Sequence, residues 1–273
     1  MANAYRIEIC STPSMELCTV LSEQQKIVWG MSDRDRMPPW KLFITPKLGG
    51  LLIVAFDQET PVAHAIFTHA HERHTSPPYL YLDMMGVLPE HQNNHIGEHI
   101  ILASKQIAQD HGYTSIQWTY DPLEGANANV YIRKLGATVS TFYPDYYGEL
   151  TGTRQHGTKT DRFLAILKPD AQPKVHQCVD AAITQELYDQ YEVLMTTHPK
   201  TVAIEIPVDL HAMLAEDAEK AHAVRHATSL IFEFLFKQGY QISGFMRRDH
   251  GNYYIAENDS QWHGEGCSQQ PPA

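Results

Sequence analysis

A polar turn between a predicted strand and a predicted helix is the first place in this sequence where chemistry is expected. The turn, Glu90 to Gly97, has the sequence EHQNNHIG and contains no lysine or arginine. The first backbone N–H groups of a helix have no intrahelical partner, and with the positive end of the helix dipole they favour a phosphate or pyrophosphate. On these residues alone, an ordinary connection between strand and helix is the alternative.

Asp83 is the one carboxylate inside the predicted strand YLYLDMMGV, which precedes the turn. A carboxyl group that is removed from water has a raised pKa and suits a general base. A rim carboxylate that is bonded to backbone is the alternative. Tyr143, Tyr146 and Tyr147 in FYPDYYGE are candidates to line an acceptor site or to supply an acid, with aromatic packing as their alternative.

Metal catalysis is a competing interpretation because the chain has 16 histidines. Two sets of three histidines lie close together in the sequence. The second set recurs every fourth residue, but it spans the turn, where helical geometry is not assured. No HExxH motif and no completing carboxylate accompanies them. We therefore predict no metal. The two sets are His69, His71 and His74, and His91, His95 and His99.

The four cysteines, Cys10, Cys18, Cys178 and Cys267, include no close pair. This spacing favours a reducing compartment over a disulfide framework. Cys10 and Cys18 lie in core-like patterns, whereas a nucleophilic cysteine needs a thiolate beside a base. We expect no acyl-cysteine intermediate.

The composition indicates a folded protein with one large domain or slightly more. The chain has 273 residues, 43% of them hydrophobic, and a formal charge of -11. This charge argues against a nucleic-acid partner, because phosphate binding needs a basic surface, and it suits an amine-bearing substrate. No apolar run reaches the ~20 residues of a membrane span and no signal peptide is evident, so we expect a cytoplasmic protein without a membrane partner.

Apolar periodicity predicts a mixed α/β sheet, with the element order β-α-(α)-β-β-β-α-β-α-β-β over residues 5–168. The helix predicted at 97–111 ends at Gly112, where a left-handed cap is expected. A compositional break at 169–174 separates a predicted domain, residues 1–170, from a C-terminal extension, residues 171–257. The polar tail, residues 258–273, is predicted to be disordered.

The extension contains a predicted helix, residues 215–238, that carries much apolar surface. Exposing such surface costs ~25 cal/mol per Å². We therefore expect the helix to pack on the core or against a second subunit in a homodimer. Its apolar residues are Ala221, Val224, Leu230, Ile231, Phe234 and Leu235.

The stretch VLPEHQNNHIGEHI resembles motif A of the GNAT superfamily of acyl-CoA-dependent N-acyltransferases, whose pattern is Arg/Gln-x-x-Gly-x-Gly/Ala. Gln92 and Gly97 match the first and last positions of that motif. The strand order over residues 5–168 is similar to the fold of the family. The segments MMGVLPE, WTYDPLEGANA, RKLGA, YYGE and DRF resemble a subgroup of GNAT acetyltransferases that also carries a C-terminal extension.

The resemblance implies a GNAT fold with splayed fourth and fifth strands, and acetyl-CoA or a longer acyl-CoA as cosubstrate. It places the pantetheine and the thioester carbonyl beside the backbone of Met85 and Val87. Asn127 and Asn129 would reach the cosubstrate from the next helix, with helix capping as their alternative. The residues implied at the pyrophosphate are Gln92, Asn93, Asn94, His95, Ile96 and Gly97.

Two positions depart from the family pattern. His95 stands at the first glycine of the motif, either as neutral filler or with its ring beside the phosphates, where an imidazolium would be favoured. The acid tyrosine of the family sits four residues before the glycine that closes the following helix. Ile132 has that place before Gly136, and its neighbour Tyr131 would face about 100° away in an α-helix.

The expected function is acyl transfer from an acyl-CoA to a primary amine by direct attack. The acyl group is acetyl, succinyl or longer, and the acceptor is a small amine, an amino acid or a peptide lysine. A non-catalytic acyl-CoA-binding or regulatory module on the same fold is the alternative. The catalytic candidates are Asp83, Tyr131, Tyr143 and Tyr147.

Overall fold

The structure, a computed structural model, describes residues 5–71, 77–148, 159–176, 178–248 and 251–258. His74, Cys267 and all but the first residue of the predicted tail lie outside these ranges. The domain boundary predicted near residue 170 stays a prediction. Contacts divide the chain into unit 1, which comprises Met1–Trp118, Glu149–Gly157 and Lys168–Asp170, and unit 2, which comprises Thr119–Gly148, Thr158–Leu167 and Ala171–Ala273.

Unit 1 contains strands that pair in chain order. They are β1 (Arg6–Ile9), β2 (Leu51–Asp57), β3 (Thr60–Ala70), β4 (Tyr79–Val87) and the first three residues of β5 (Ile116–Tyr120). Strands β1 to β4 pair with one another in antiparallel order, whereas β4 and β5 are parallel. The helices of this unit are α1 (Met15–Trp29), α2 (Pro39–Ile44) and α3 (Ile96–Asp110).

Unit 2 contains strands from both halves of the chain. They are β6 (Thr138–Tyr143), β7 (Arg162–Leu167), β8 (Ala181–Ile183), β9 (Thr201–Ile206), β10 (Gln241–Arg247) and β11 (Asn252–Glu257). Their pairing order is β7-β6-β10-β11-β9-β8. The helices are α4 (Gly125–Ala128), α5 (Tyr191–Leu194), α6 (Leu210–Glu216) and α7 (Ala218–Lys237). The mixed α/β class and the element order predicted up to β7 are confirmed.

The core of unit 1 follows from the alternation of side chains along β2 and β3. Leu52, Val54 and Ile66 point to the face that α1 and α2 cover, and Leu21 and Leu42 meet them there. All five side chains are fully buried. Burial of this surface holds the two helices against the sheet.

Helix α3 confirms the helix predicted after the polar turn. Ile96, Ile100 and Ile107 are buried along one face, as the apolar period requires. At the other end Gly112 has φ +72°, and Tyr113 N donates to Ala108 O at 2.9 Å. This is the left-handed cap that was predicted at Gly112.

The prediction of a single helix over 215–238 is wrong. Two helices form there, because Asp217 interrupts the segment and caps α7. Helix α1 is capped by Ser14, whose Oγ accepts from Leu17 N. Residues 185–197 form a series of short turns that includes α5.

The apolar face of α7 is largely covered within unit 2. Four of the six predicted apolar residues are buried, and Leu230 is 43% exposed. Phe232 packs edge-on against Phe163 of β7, with ring centroids 4.7 Å apart. The predicted homodimer stays a prediction. The four buried residues are Ala221, Val224, Ile231 and Leu235.

Candidate active site

Strand β4 separates from β5 next to a β-bulge. Ile66 of β3 pairs with Met84 and Phe67 pairs with Leu82, so Asp83 is an extra residue on β4. The parallel pairing of β4 with β5 consists of Leu80 with Ile116 and Tyr81 with Gln117. A bulge bends and twists the strand that carries it. The bulge therefore explains why the two strands splay beyond Tyr81, as the resemblance predicts.

The backbone of Met85 and Val87 faces the open edge of β4. Leu88 N donates to Val62 O at 2.9 Å, which directs the backbone groups of Leu88 toward β3. Since the hydrogen-bonding direction alternates along a strand, the groups of Met85 and Val87 point to the opposite edge. There the Val87 carbonyl accepts from Gln92 Nε2 at 3.0 Å. Their predicted role beside a thioester stays a prediction.

The polar turn contains two residues in the left-handed region. Asn93 has φ +63°, and His95, which is the N-cap of α3, has φ +60°. Asn94 ties the turn together, because its Nδ2 donates to His91 O at 3.1 Å. Asparagine tolerates this region better than most residues, and glycine enters it without strain. His95 therefore keeps a backbone conformation that suits the glycine of the motif.

The first turn of α3 contains backbone donors without intrahelical acceptors. The first hydrogen bond within the helix runs from His99 N to His95 O at 3.0 Å, so Ile96 and Gly97 have no intrahelical acceptor for their N–H groups. The Ile96 side chain is buried and anchors the helix start. A Cβ added to Gly97 would lie 3.5 Å from Met85 Cε, an ordinary contact. The fold itself thus tolerates a side chain at Gly97, whereas a ligand on the backbone would favour glycine.

Glu98, in the first turn of α3, is a charged residue at this site that was not predicted from the sequence. Its Oε2 lies 3.1 Å from His95 Nδ1. A carboxylate in the first turn of a helix is favoured by the dipole and would compete with an anionic ligand for the same positive end. The i,i+3 spacing from His95 is the signal that could have identified this pair.

Asp83 is held at the bulge by a hydrogen bond. Thr68 Oγ1 donates to Asp83 Oδ2 at 2.6 Å. Although the residue as a whole is exposed, desolvation of the carboxyl raises its pKa, and the bond from Thr68 and the charge of Lys41 lower the pKa only in part. A carboxyl with a raised pKa is suited to accept a proton.

Tyr131 lies in unit 2 on a π-helical turn, Asn129–Lys134, so the regular α-helix predicted there is wrong. Leu135 N donates to Val130 O at 3.1 Å, five residues back. Such a turn contains one more residue than an α-helical turn. Gly136 N still donates to Ile132 O at 3.1 Å, four residues back, so the wide turn ends before Gly136. Burial raises the pKa of Tyr131 far above its ordinary value.

Asn127 and Asn129 lie at the start of the same helical segment. The N-cap of α4 is Glu124, whose side chain makes no capping bond, so capping does not explain the two asparagines. Asn129 Oδ1 accepts from Arg133 Nη1 at 3.1 Å, one turn further on. Their predicted contact with the cosubstrate stays a prediction.

The last residue of β6, Tyr143, and the two tyrosines that follow the strand form an aromatic patch in unit 2. Tyr143 stacks on Tyr146 with ring centroids 4.6 Å apart, and Tyr146 and Tyr147 are 49% and 46% exposed. The Tyr147 hydroxyl lies 2.9 Å from Thr119 Oγ1. The Arg162 guanidinium, which the sequence analysis missed, lies 5.3 Å from the centroid of the Tyr147 ring. The patch is accessible to an acceptor, but the contacts also fit packing.

The cysteine thiols are poorly placed for nucleophilic catalysis. Cys10 and Cys18 are free, and burial raises the pKa of both, which disfavours the reactive thiolate. Cys178 is disulfide-bonded, so the expectation of unpaired cysteines is wrong at that position.

The two histidine sets make other contacts. His69 Nδ1 lies 3.0 Å from the Tyr113 hydroxyl, and His91 Nδ1 lies 3.1 Å from the Tyr5 hydroxyl. Within the described ranges, no three side chains form a group that could hold a metal ion. The predicted absence of a metal stays a prediction.

Some of the predicted site residues lie together within unit 1. Asp83, Met85, Val87 and the turn 92–97 lie in unit 1, along one continuous stretch from β4 into α3. The remaining candidates lie in unit 2. They are Asn127, Asn129, Tyr131, Tyr143 and Tyr147.

Residues 15–137 match the family described as the acetyltransferase (GNAT) family, over rather less than half of the chain. No curated protein matches the chain in sequence. No helix in the described part of the chain has the length and hydropathy needed to cross a membrane.

Three solved structures align with more than half of this chain. The structure of yncA from Salmonella typhimurium with its cofactor acetyl-CoA has a TM-score of 0.49 and 15% identity, over 64% of this chain and 99% of that chain. An N-acetyltransferase from Staphylococcus aureus has a TM-score of 0.47 and 13% identity, over 61% of this chain and 98% of that chain. The ribosomal-protein-S18-alanine N-acetyltransferase from Escherichia coli has a TM-score of 0.48 and 12% identity, over 63% of this chain and 99% of that chain. Similarity at this level gives no information on substrate.

Residues 15–137, which include the splayed strands and the turn at the start of α3, are thus similar to the GNAT family in sequence. The resemblance and the GNAT fold class predicted from the sequence are confirmed there. Acyl transfer to an amine is the general activity that this family supports.

We expect Gly97→Pro to weaken CoA binding by about tenfold or more, because proline removes one N–H donor and bonds to charged groups are strong. The first turn of a helix tolerates proline, so the fold should persist. Isothermal titration with CoA measures the affinity. Gly97→Ala, which keeps the N–H, is the matched control for the loss of glycine. Parent-like affinity of the proline variant would place the anion elsewhere.

We expect Asp83→Asn to be at least as stable as the parent at pH 7. The raised pKa means that the folded state holds the Asp83 proton more tightly than the unfolded state, so the parent loses stability as pH rises through the raised value. The advantage of the variant should vanish below the ordinary carboxyl value, about pH 4. Urea unfolding at several pH values measures it. A variant less stable than the parent at pH 7 would make Asp83 a structural residue.

Proposed function

We propose that the protein is an N-acyltransferase that moves an acyl group from an acyl-CoA to a primary amine by direct attack. The observation that carries the proposal is the coincidence, within a few residues, of a strand opening, a carboxyl with a raised pKa and a helix start with unpaired backbone donors. Each feature suits one part of this reaction, and the family match supports the whole.

The turn and the first turn of α3 would hold the pyrophosphate. The N–H groups of Ile96 and Gly97 and the positive end of the α3 dipole supply attraction without a cationic side chain. The Glu98 carboxylate repels a second anion at the start of α3. A charged imidazole at His95, which contacts Glu98, would reduce that repulsion. His95 is thus proposed to act through Glu98 as much as through the phosphates.

When bound, an acyl-CoA supplies the activated thioester. Backbone N–H groups at the open edge of β4 are the donors available to the carbonyl oxygen as negative charge develops on it. Asp83 is the proposed acceptor of the proton that the nitrogen of the neutral amine loses as it bonds to the carbonyl carbon. The carbon–sulfur bond then breaks, and Tyr131 is the proposed donor of the proton that the leaving thiolate takes.

Direct attack is favoured over a route through an acyl-cysteine. Cys18 is fully buried, and the pKa values of Cys10 and Cys18 are both raised. A thiol must become a thiolate to attack a thioester. These two free thiols lack that activation.

The acceptor class is left open among small amines, amino acids and peptide lysines. The acyl group is likewise open among acetyl, succinyl and longer chains. The formal charge of -11 favours a cationic acceptor over an acidic one. The exposed tyrosines 146 and 147 are proposed to line the acceptor site, since aromatic faces attract amines.

A non-catalytic acyl-CoA-binding module remains the second candidate. The observation that favours it is the burial of Tyr131, which is 8% exposed and has a strongly raised pKa. A phenol that holds its proton so tightly is a weak acid catalyst. The two candidates share the cosubstrate and differ in turnover.

Turnover can be tested with a panel of acyl-CoAs and amines, followed by thiol release and by mass spectrometry of the products. We expect acylated amine and released CoA, and a fall in kcat of about 10²-fold or more for Asp83→Asn. Binding without thiol release would support the module. A stable acyl adduct on Cys10 or Cys18 in the absence of amine would contradict direct attack.

The pH profile of kcat/KM should identify Asp83 as the base. The Thr68 hydrogen bond lowers the Asp83 pKa, so Thr68→Val should raise the pKa and move the acidic limb of the profile to higher pH. Activity above that limb should stay near the parent value. Asp83→Asn is the control, because it should lack the limb altogether. An unmoved limb in Thr68→Val would assign it to another group.

A further inference from the structure

The turn that connects β5 to α4 is held by side chains from the C-terminal part of unit 2. The turn comprises residues 120–125 and leads through α4 into the π-helical turn that carries Tyr131. Three C-terminal elements contact it, namely α6, α7 and β11. All of these residues belong to unit 2.

The central contact is a buried ion pair between Arg225 of α7 and Asp121. Arg225 Nη1 donates to Asp121 Oδ1 at 3.1 Å, and Nη2 donates to Oδ2 at 2.8 Å. The two side chains are only 4% and 2% exposed. Asp121 Oδ1 also accepts from Leu123 N at 2.9 Å, so the same carboxylate fixes the backbone of the turn. A two-pronged bond of this kind restrains orientation as well as distance.

Further polar contacts hold the same turn. Tyr254 of β11 donates from its hydroxyl to Pro122 O at 2.8 Å. His211 Nε2 of α6 lies 2.7 Å from Glu124 Oε1. Asn252 of β11 packs so close to Gly125 that a Cβ there would lie 2.4 Å from its Nδ2. A side chain at Gly125 would therefore displace the Asn252 amide.

The held turn is in direct contact with Tyr131. The rings of Tyr120 and Tyr131 meet edge-on, with centroids 5.4 Å apart. Ion pairs in a protein interior are weak sources of stability, because desolvation offsets their attraction. Their directional bonds are better suited to fix a geometry, and here they converge on the segment that leads to one candidate catalytic side chain.

We infer that Arg225 is a positioning residue, which acts through Asp121 and the 120–125 turn to set the place of Tyr131. The C-terminal extension is thus part of the catalytic apparatus, although it carries none of the family motif. This inference rests on the proposed function for the role of Tyr131. The contacts that restrain the 120–125 turn do not depend on that function, and their effect on the turn can be measured separately.

The test compares full-length Arg225→Lys with Leu235→Ala. Lysine keeps the charge but loses the two-pronged geometry. Leu235 is buried on the same helix and its apolar side chain cannot bond to the turn, so Leu235→Ala controls for a general loss of stability. Tyr254→Phe is a second variant, which removes one hydroxyl from the turn and keeps the ring. All are measured at a temperature at which each is folded.

Amide hydrogen exchange of peptides that span residues 119–135 reports on the turn. We expect faster exchange there in Arg225→Lys and, to a smaller extent, in Tyr254→Phe, with no comparable change in Leu235→Ala. Parent-like exchange in Arg225→Lys and Tyr254→Phe would overturn the inference. This readout stands even if the parent shows no turnover, an outcome that would overturn the proposed function alone.

Kinetics with acetyl-CoA and an accepted amine report on Tyr131. Arg225→Lys should lower kcat by about 10-fold to 100-fold, the scale of a misplaced catalytic group, while the KM for acetyl-CoA stays within about threefold. In a Tyr131→Phe background the same substitution should cause no further loss, because coupled residues are not additive. An equal further loss in that background would show that Arg225 does not act through Tyr131.

Discussion

The β-bulge at Asp83 is the constraint on which the proposed chemistry of unit 1 depends. One extra residue in β4 breaks the register with β3 and, by bending the strand, ends its pairing with β5 after Tyr81. A regular β4 would continue that pairing, and the backbone of Met85 and Val87 would bond to a strand rather than face an opening. The same insertion places the Asp83 carboxyl beside Thr68, where lost solvation raises its pKa. Strand opening and candidate base therefore have a common origin.

The anion binding proposed for this chain would rely on backbone rather than on side-chain charge. Its formal charge of -11 and a turn without lysine or arginine give no general attraction for phosphate. The start of α3 is a local exception, because helix geometry leaves donors there whatever the composition. Two left-handed residues, Asn93 and His95, aim that helix start, and the fold accepts their strain. Backbone donors also leave the site insensitive to the loss of any single cationic side chain.

The sequence was sufficient for features that depend on neighbouring residues. The apolar period gave α3, and glycine at residue 112 marked its end, because both signals act within one or two turns. The β-bulge could not be predicted from the sequence, because it depends on how the residues of β3 pair with those of β4. The break between α6 and α7 was missed because the apolar period continues across it, although Asp217 is a good capping residue. The ion pair of Arg225 joins positions 104 residues apart and leaves no local trace.

The position of Tyr131 shows how a wrong local assumption changes a functional argument. Regular α-helical spacing places Tyr131 about 100° away from Ile132, the residue four before Gly136. The segment contains a π-helical turn, in which Leu135 N donates to Val130 O, five residues back, whereas Gly136 N donates to Ile132 O. The direction of Tyr131 is therefore set by an irregular turn rather than by regular spacing. The preceding turn, from Asp121 to Gly125, is held by buried contacts from α7 and β11. On the proposed role of Arg225, the place of Tyr131 depends on the C-terminal extension as well as on its own helical segment.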